Sequence, residues 1–398
     1  MDERIIIILT KPIPCVAVLS CLLSIGNVSI AADVYYPPVS ESLERLSSSN
    51  QYVRDRGMRE LVGMGKAAAP ANDILSAVAL SSNSLPRTRS SAAEAMRNID
   101  EGRAAAQFIQ ELTNASPTVR EYAVDALMTV RRSDAAIPLF YRLRDENEQV
   151  RSRAGIALQF YKDDHLATLL LATLQNREDR ARQWAPWLLG RMGRQDAAIP
   201  LTKLLDDPAP AFRKSVIAAL RDLKSRDAVP SLIVVVTQDK DDDVRAGAIR
   251  CLGELGDASA GRVLLGVLSD PNPDIRASAA GGLGMLKIEE AKEPLRKMFG
   301  SVDYRDKLAA MGGLCLLGDQ QTVPLIISSL DGQPPELLSY FMWGLVELNA
   351  IAEITSLQTH KSEAVRTAAQ KALERVEKRK SKSSNNGAES AWFPASKK

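Results

Sequence analysis

Few residues in this sequence belong to the types that perform catalysis. Its 398 residues include two histidines, His165 and His360, and four cysteines. A zinc site or a multi-histidine metal centre needs several such ligands close together, so this scarcity argues against both. The sequence also contains no glycine-rich phosphate loop, no zinc-protease motif and no Gly-x-Ser-x-Gly nucleophile elbow. We therefore expect no catalytic residue, no metal and no cofactor.

Arginine is the residue whose spacing is most regular. It recurs after Val or a similar residue, and eight of the ten intervals between successive positions are 31 or 32 residues. A row of cations could bind phosphate groups or an acidic ligand. We favour a structural role, because an arginine at the edge of a packed face needs acidic partners. We call these positions the anchors: Arg54, Arg89, Arg120, Arg151, Arg182, Arg213, Arg245, Arg276, Lys307, Leu338 and Arg366.

Each anchor begins the same pattern of side chains. A small residue usually stands three positions later, and large apolar residues stand seven and ten positions later, as Leu252 and Leu255 do after Arg245. These offsets share one face of an α-helix. Gly, Asn or Lys often follows at offset eleven, where a helix ends, and a proline then opens a second helix. The turn aspartates expected to bind the anchors are Asp134, Asp164, Asp196, Asp227, Asp257 and Asp319.

The repeated unit is therefore a helix–turn–helix of about 31 residues, found about eleven times between residues 42 and 380. One such pair cannot bury its apolar face alone, whereas stacked pairs can, and the result is a solenoid. We predict an all-α fold for this region. Because Leu338 replaces the arginine of the tenth unit, we expect that unit to join its neighbours differently.

This unit resembles the HEAT repeat, in the short bacterial form called the phycobilisome-lyase HEAT-like repeat. The Val-Arg step, the Ala-x-x-x-Leu-Gly pattern and the Gly-Asp…Pro-Leu turn carry the resemblance, most clearly in the segment AIRCLGELGD at residues 248–257. The resemblance implies a right-handed α-solenoid, an α-α superhelix of about eleven helix pairs. It also implies that the second helices line the concave face and that a protein or peptide partner binds there.

HEAT-type enzymes are the alternative to a binding role. Deoxyhypusine hydroxylase resembles this architecture and binds iron through His-Glu pairs, but Leu follows His165 here and Lys follows His360. A bilin or chromophore lyase is the other precedent, and its cytosolic antenna does not fit the N-terminal segment described below. We predict a non-enzymatic interaction scaffold or adaptor in the bacterial cell envelope, with a lyase-like enzyme or a membrane-tethered assembly factor as alternatives.

Departures from the repeat are candidate binding positions, because local rules are most often broken at functional sites. In the fifth unit Pro186 falls inside the first helix, which it should kink. Aromatic residues cluster there and in the tenth unit, and they either anchor a partner or fill gaps left by irregular packing. The second helices of the sixth and ninth units are apolar all round. The candidate partner-binding residues are Trp184, Trp187, Ile233, Val236, Ile327, Tyr340, Trp343 and Trp392.

The cysteines are predicted to be structural. Cys15 and Cys21 lie in the N-terminal segment. Cys251 and Cys315 stand beside core leucines in the seventh and ninth units, with a whole unit between them. That separation exceeds the reach of a disulfide, so we expect two buried free thiols.

The N-terminus is typical of a targeting segment. Residues 12–32 carry no charge, Arg4 and Lys11 precede them, and small residues end at Ala32. This pattern predicts a secretory signal peptide over residues 1–32, cleaved near Asp33. An uncleaved inner-membrane anchor is the alternative, because the uncharged stretch is long enough to span a bilayer, and Cys21 faintly suggests a lipoprotein signal. Each alternative places the body outside the cytosol, in the periplasm or secreted if the segment is cleaved.

Charge excludes some partners. Lys and Arg total 51 against 49 Asp and Glu, and a balance of +2 gives no attraction to nucleic acid. A membrane contact is expected only through the N-terminal anchor. The end of the chain, residues 381–398, is polar and basic and is predicted to be a disordered tail. Trp392 and its neighbours in that tail could form a short docking motif.

Overall fold

The computed structural model describes residues 37–383, and every regular element within that range is a helix. The all-α prediction is confirmed. After α1 (Val39–Leu46), ten helix pairs follow one another, and the eleventh first helix ends the described chain. We number the repeats 1–11 by their anchors.

The first helices carry the anchors of their repeats, except in repeat 5, where Arg182 lies in the 3-10 helix Arg180–Trp184 just before the first α-helix of that repeat. They are α2 (Gln51–Met64), α4 (Pro86–Ile99), α6 (Pro117–Val130), α8 (Glu148–Leu158), α10 (Ala185–Met192), α12 (Pro210–Asp222), α14 (Asp242–Leu255), α16 (Pro273–Met285), α18 (Tyr304–Leu316), α20 (Pro335–Glu347) and α22 (Glu363–Ser383). The second helices are mostly shorter. They are α3 (Asn72–Ala79), α5 (Glu101–Glu111), α7 (Ala136–Arg142), α9 (Asp164–Thr173), α11 (Ala198–Thr202), α13 (Val229–Gln238), α15 (Gly261–Gly266), α17 (Lys292–Phe299), α19 (Thr322–Ser328) and α21 (Ile351–Ser356).

The chain folds as two compact units that divide between Trp184 and Ala185. Within each unit, successive first helices pack directly on one another, and most second helices pack mainly on the first helix of the next repeat. The first helices are therefore the more closely packed row in each unit. This arrangement leaves one face of every first helix outside the core.

Local sequence explains where the first helices begin. Five of them start with a proline at the first helical position, where a missing N–H leaves no hydrogen bond unmade. Others begin after an Asn or Asp whose side chain accepts a hydrogen bond from the first turn, as Asn147 does from Val150 N. These signals recur at the repeat period and fix the register of the helices.

Left-handed residues end many first helices, as the sequence predicted for Gly and Asn. Gly193, Gly256 and Gly318 have φ between 67° and 72°, and Asn349 has φ 55°. The same conformation extends to Arg131, Lys224 and Lys287, although side chains rarely adopt it. These seven residues all stand at offset eleven, so in those repeats the left-handed turn follows the position in the repeat rather than the residue type.

The second helices begin slightly earlier than the prolines suggested. A single turn of 3-10 helix, such as Arg226–Ala228, usually precedes them. Pro230 is then the second residue of α13 and Pro138 the third residue of α7. Proline is tolerated throughout a first turn because its missing N–H has no intrahelical partner there. The exception is Pro70, which lies within the 3-10 helix Gly65–Ala71.

Repeat 5 differs from its prediction. Pro186 does not kink a continuous helix; instead a 3-10 helix, Arg180–Trp184, precedes α10, and Pro186 is the second residue of α10. The proline ring clashes with an α-helical turn before it, so the α-helix begins at Ala185. The shortened first helix marks the division between the two units.

Small residues allow neighbouring first helices to approach closely. A Cβ atom added to Gly313 would lie 2.6 Å from the carbonyl oxygen of Ala280, and one added to Gly284 would lie 2.9 Å from that of Gly313. Ala279 and Leu283 are fully buried between these helices. Leu338, which replaces an anchor arginine, is also buried and belongs to the core of repeat 10.

Several predicted features lie outside the described residues. They are the targeting segment at residues 1–32 with Cys15 and Cys21, and the tail beyond Ser383 with Trp392. Among residues 37–383, no helix is both long enough and apolar enough to cross a membrane.

Candidate functional site

The anchor arginines bind the loop that precedes their own helix. The Nη1 atom of Arg120 donates to the carbonyl oxygens of Asn114 and Ala115, at 2.9 and 3.2 Å. The same two-carbonyl contact, six and five residues before the anchor, occurs in six repeats. It is made by Arg54, Arg120, Arg151, Arg213, Arg276 and Arg366.

Several anchors also bind a carboxylate of the next repeat. Arg213 donates from Nε and Nη2 to the two carboxylate oxygens of Asp239, at 2.7 and 2.6 Å. Arg120 binds Asp145 in the same bidentate way, at 2.9 and 2.7 Å. Each aspartate lies 25 or 26 residues after its arginine, in the loop between repeats. Arg245 pairs with Asp270, also 25 residues on, whereas the partner of Arg276 is Asp306, which lies 30 residues after it and within α18.

The carboxylate partners are not the turn aspartates that we expected. Asp134 and Asp196 bind Arg132 and Arg194, which stand two residues before them. Geometry explains the difference, because an anchor stands at the start of its first helix and the turn aspartate follows the end of that helix. The loop between repeats lies at the same end as the anchor, so its aspartate is the one within reach.

A loop aspartate can accept hydrogen bonds both from an anchor arginine and from the backbone of its own loop. Oδ1 of Asp145 accepts a hydrogen bond from Asn147 N at 3.0 Å in addition to the Arg120 contact. Burial raises the pKa of Asp145, but the hydrogen bonds from Arg120 and Asn147 outweigh it and hold the pKa below its usual range. The carboxylate therefore stays charged and joins two repeats near neutral pH.

Arg89 and Arg182 depart from this pattern. Nε of Arg182 donates to the carbonyl oxygen of Leu174 at 2.8 Å. Arg89 donates to a single loop carbonyl, that of Ser84, and its guanidinium lies 3.9 Å from the centroid of the Tyr122 ring. Arg89 faces a cavity rather than a loop carboxylate.

That cavity has a volume of about 540 Å³. It lies along the first helices of repeats 2–4. We call it the arginine cavity. Its charged and aromatic lining residues are Arg89, Glu94, Arg97, Tyr122, Asp125, Arg131, Arg153 and Phe160. Of these, our sequence interpretation had singled out only Arg89, as a structural anchor.

The predicted aromatic residues stand at repeated offsets from their anchors. Trp184 and Tyr340 stand two positions after their anchors, and Trp187 and Trp343 stand five positions after theirs. All four are half-buried. Within the first unit, the Trp184 ring packs against Gly155, so it contributes to folding as well as to the surface.

The predicted apolar candidates on the second helices are less accessible. Val236 is fully buried and belongs to the core, which corrects its assignment as a partner-binding residue. A second helix that is apolar all round must bury some of these residues against neighbouring first helices, mainly that of the next repeat. Ile233 and Ile327 are half-buried, while Val234 is 49% exposed.

In the second unit, the exposed face of several first helices carries glycine instead of a larger side chain. Gly247, Gly281 and Gly312 occupy it, and a Cβ atom added to any of them would meet nothing within 4 Å. Gly281 and Gly312 hold the offset that Trp343 holds in repeat 10. Repeats 7–9, which we call the smooth stretch, therefore carry glycines on this face. Repeat 10 then carries the half-buried residues Tyr340 and Trp343.

The thiols and imidazoles have no catalytic setting among the described residues. Burial raises the pKa of both Cys251 and Cys315 to about 12, so neither forms a thiolate near neutral pH. The two thiols are free, although Cys315 is half-buried rather than fully buried. His165 is exposed in the first turn of α9. Residues 37–383 contain no group of three potential metal ligands.

Comparisons with known proteins identify the repeat. A family model for HEAT repeats matches residues 105–186, 166–246 and 229–315, which together cover more than half of the chain. A search of curated proteins gave no match.

Solved structures show the same fold. Yeast importin-β (Kap95p) is 13% identical with a TM-score of 0.58, and the match covers 84% of this chain and 54% of importin-β. Kap121p bound to Nup53p is 13% identical with a TM-score of 0.52, and the match covers 90% of this chain and 47% of Kap121p. The CpcE–CpcF complex of phycocyanin lyase from Nostoc is 21% identical with a TM-score of 0.35, covering 62% of this chain and 94% of that one. This chain therefore spans about half the length of the importin-type chains.

Proposed function

The chain belongs to the HEAT-repeat family, and from that premise we propose that it is a non-enzymatic scaffold. Its partner is a protein that binds along the exposed face of the first helices. The observation that carries this proposal is the placement of Tyr340 and Trp343 on that face, beside the smooth stretch of repeats 7–9. Tyr and Trp offer large contact areas and are enriched in the residues that dominate binding energy.

The first helices suit this role better than the second helices. They form the more closely packed row, and the same offsets are exposed in repeat after repeat, which offers a partner a periodic surface. The second helices are mostly shorter, and Val236 among their candidates is buried. We therefore leave Ile233 and Ile327 outside the proposed surface. Binding on the second helices, which the HEAT resemblance placed on the concave face, stays a prediction outside this proposal.

Rigidity supports a binding role. The anchor arginines bind the loop carbonyls of their own repeat and, in several repeats, a carboxylate of the next one. These contacts fix the first helices before a partner arrives. A pre-organised surface loses less conformational entropy on binding than a flexible one does.

The thiol chemistry supports a scaffold rather than an enzyme. A lyase that attaches a chromophore through its own cysteine would need a reactive thiolate, and the raised pKa values of Cys251 and Cys315 oppose one. We expect the purified protein to have no visible absorption band and no stoichiometric metal. A chromophore that copurifies and absorbs visible light would favour the lyase-like alternative.

Placement in the cell envelope is part of the proposal and is supported by the uncharged segment at residues 12–32. Intact-mass measurement on protein isolated from its host tests it. A mature chain that begins near Asp33 supports export with cleavage. A chain that retains residues 1–32 in the membrane fraction supports the tethered alternative.

Photo-crosslinking tests the binding surface. We would replace Trp343 with benzoylphenylalanine in the full chain and irradiate it in its host. We expect a discrete protein adduct. Ile199 is the matched control, because it is 67% exposed but lies on a second helix. Adducts of equal yield at both positions, or an adduct at Ile199 alone, would contradict the proposed surface.

A further inference from the structure

The arginine cavity contains a guanidinium group whose hydrogen bonds are incomplete. Nε of Arg89 is buried and forms no hydrogen bond with any residue between 37 and 383. In Arg120, Arg213 and Arg276 the same atom donates to an aspartate of the next repeat. A buried donor without an acceptor costs free energy, so Arg89 has an unused capacity to bind an anion.

The loop between repeats 2 and 3 lacks an aspartate that could bind Arg89. Arg120 and Arg245 bind aspartates that lie 25 residues after them. The residue 25 positions after Arg89 is Asn114, which is uncharged. Asn114 keeps the local role of the loop aspartates, since its Oδ1 accepts a hydrogen bond from Ser116 N at 2.9 Å. It cannot neutralise the arginine.

Aromatic rings and backbone carbonyls hold the guanidinium groups of the cavity in place. Arg89 lies over the Tyr122 ring, and Arg131 lies over the Phe160 ring at 4.3 Å from its centroid. Nε of Arg131 also donates to the Met128 carbonyl oxygen at 3.0 Å. Such stacking orders an arginine while leaving its charge unneutralised.

The lining has more positive than negative charge. Arg153 binds Asp125 and Glu121, and Arg97 lies 3.4 Å from Glu94. Neither Arg89 nor Arg131 forms an ion pair with any described residue. Burial raises the pKa of Asp125, against the opposing effects of the positive charges of Arg153 and Arg89, so the Asp125 carboxylate is partly shielded from water. Exclusion of water strengthens an ion pair formed there.

We propose that the arginine cavity binds a carboxylate side chain of an acidic, extended segment of the protein partner, held by Arg89 and Arg131. This inference rests on the proposed function, because the cavity residues Tyr122 and Asp125 occupy the same offsets in their first helix as Tyr340 and Trp343 do in theirs. A monoanionic carboxylate fits better than a phosphate dianion, since Glu94 and Asp125 also line the cavity and would repel a second negative charge. The volume of about 540 Å³ admits several side chains, which suits a peptide segment.

Fluorescence anisotropy with the full chain tests the chemistry of the cavity. The probe is a labelled peptide of alternating glutamate and leucine, and the control peptide has glutamine in place of glutamate. We expect the double variant Arg89→Gln/Arg131→Gln to bind the glutamate peptide at least tenfold more weakly. Arg262→Gln removes an exposed arginine from a second helix and should leave binding unchanged. No binding by the parent, equal binding of both peptides, or full competition by inorganic phosphate would overturn the proposal.

A second variant separates binding from folding. Asn114→Asp supplies the carboxylate that Asp145 and Asp270 provide for Arg120 and Arg245, so it should occupy Arg89, raise the thermal midpoint and weaken glutamate-peptide binding by several fold. A merely structural cavity would give the stability gain with no loss of binding, and that result would refute the proposal. The crosslinking test at Trp343 concerns the second unit, so failure of that test and failure of this one are distinguishable.

Discussion

Glycines in the first helices fall into two kinds, according to what would surround a side chain. Gly155 faces the Trp184 ring, whose Cζ3 atom would lie 2.6 Å from an added Cβ. Gly247 faces open space. The first glycine is required by packing, whereas the second only gives up the helix propensity that alanine would add. Glycines of the first kind are therefore needed for packing, whereas glycines of the second kind leave the helix surface without a side chain.

We predict opposite effects of alanine at these two positions. Gly155→Ala should lower the free energy of unfolding by about 1–3 kcal/mol, because the indole ring must move out of its contact. Gly247→Ala should raise it by about 0.5–1 kcal/mol. Urea unfolding monitored by circular dichroism measures both. A Gly155→Ala protein as stable as the parent would show that Trp184 does not need the contact.

Arg213 makes both kinds of contact that the anchors make, with a carboxylate of the next repeat and with carbonyl groups of its own loop. It makes four hydrogen bonds, two to the carboxylate of Asp239 and two to carbonyl oxygens of its own loop. We predict that Arg213→Ala lowers the free energy of unfolding by about 1–3 kcal/mol, because it leaves a buried carboxylate and loop carbonyls without their donor. Chemical denaturation measures the loss.

The exposed Arg250 on the next first helix is the matched control for Arg213. Arg250→Ala should change stability by less than about 0.5 kcal/mol, as surface substitutions usually do. If Arg213→Ala were as stable as the parent but lost partner binding in the crosslinking assay, the anchors would be a binding site rather than a structural contact.

At the scale of elements, the ion pair between Arg296 and Asp319 joins two repeats of the second unit, as the anchor ion pairs do. Arg296 on α17 donates to both carboxylate oxygens of Asp319, at 2.8 and 2.6 Å, and Asp319 follows α18. Thr322 adds a hydrogen bond at 2.8 Å. The hydrogen bond from Arg296 is the main cause that lowers the pKa of Asp319 below its ordinary value of 3.8. The ion pair thus joins the second helix of repeat 8 to the turn of repeat 9.

This link predicts a contribution to acid sensitivity. A carboxyl whose pKa is lower in the folded state stabilises the fold above its unfolded pKa, and that stability is lost as the pH falls through the folded pKa. The parent should therefore lose more free energy of unfolding than Asp319→Asn does when the pH is lowered from 6 to below about 4. Urea unfolding across this range measures the difference. The exposed Asp206→Asn is the control and should follow the parent, and parallel pH profiles for all three proteins would contradict the role of Asp319.

The elements also show what the sequence could predict and what it could not. First helices were predictable because their buried face repeats with helical periodicity and their starts carry Pro, Asn or Asp. Second helices were placed less accurately, since the 3-10 turns before them have no periodic signal. The arginine cavity was missed because its residues come from three repeats. The available signal was Asn114, which stands where Asp145 and Asp270 stand in other repeats.

At the scale of the molecule, stability should be local. Each helix of a stacked repeat protein contacts mainly its own repeat and the adjacent ones, so its stability is close to a sum of repeat and nearest-neighbour contributions. Residues far apart in the chain share no core. A substitution should therefore weaken its own repeat and the adjacent repeats of its unit.

Hydrogen exchange measured by mass spectrometry tests this local behaviour. Gly155→Ala should speed amide exchange in α8 and in the repeats that adjoin it, because the displaced Trp184 ring opens the local packing. Arg276→Ala should speed exchange in repeats 8 and 9, which its contacts with Asp270 O and Asp306 join. Each variant serves as the control for the other, since neither should affect the region that the other one changes. A uniform increase along residues 37–383 in either variant would show instead that the repeats unfold as a single cooperative structure.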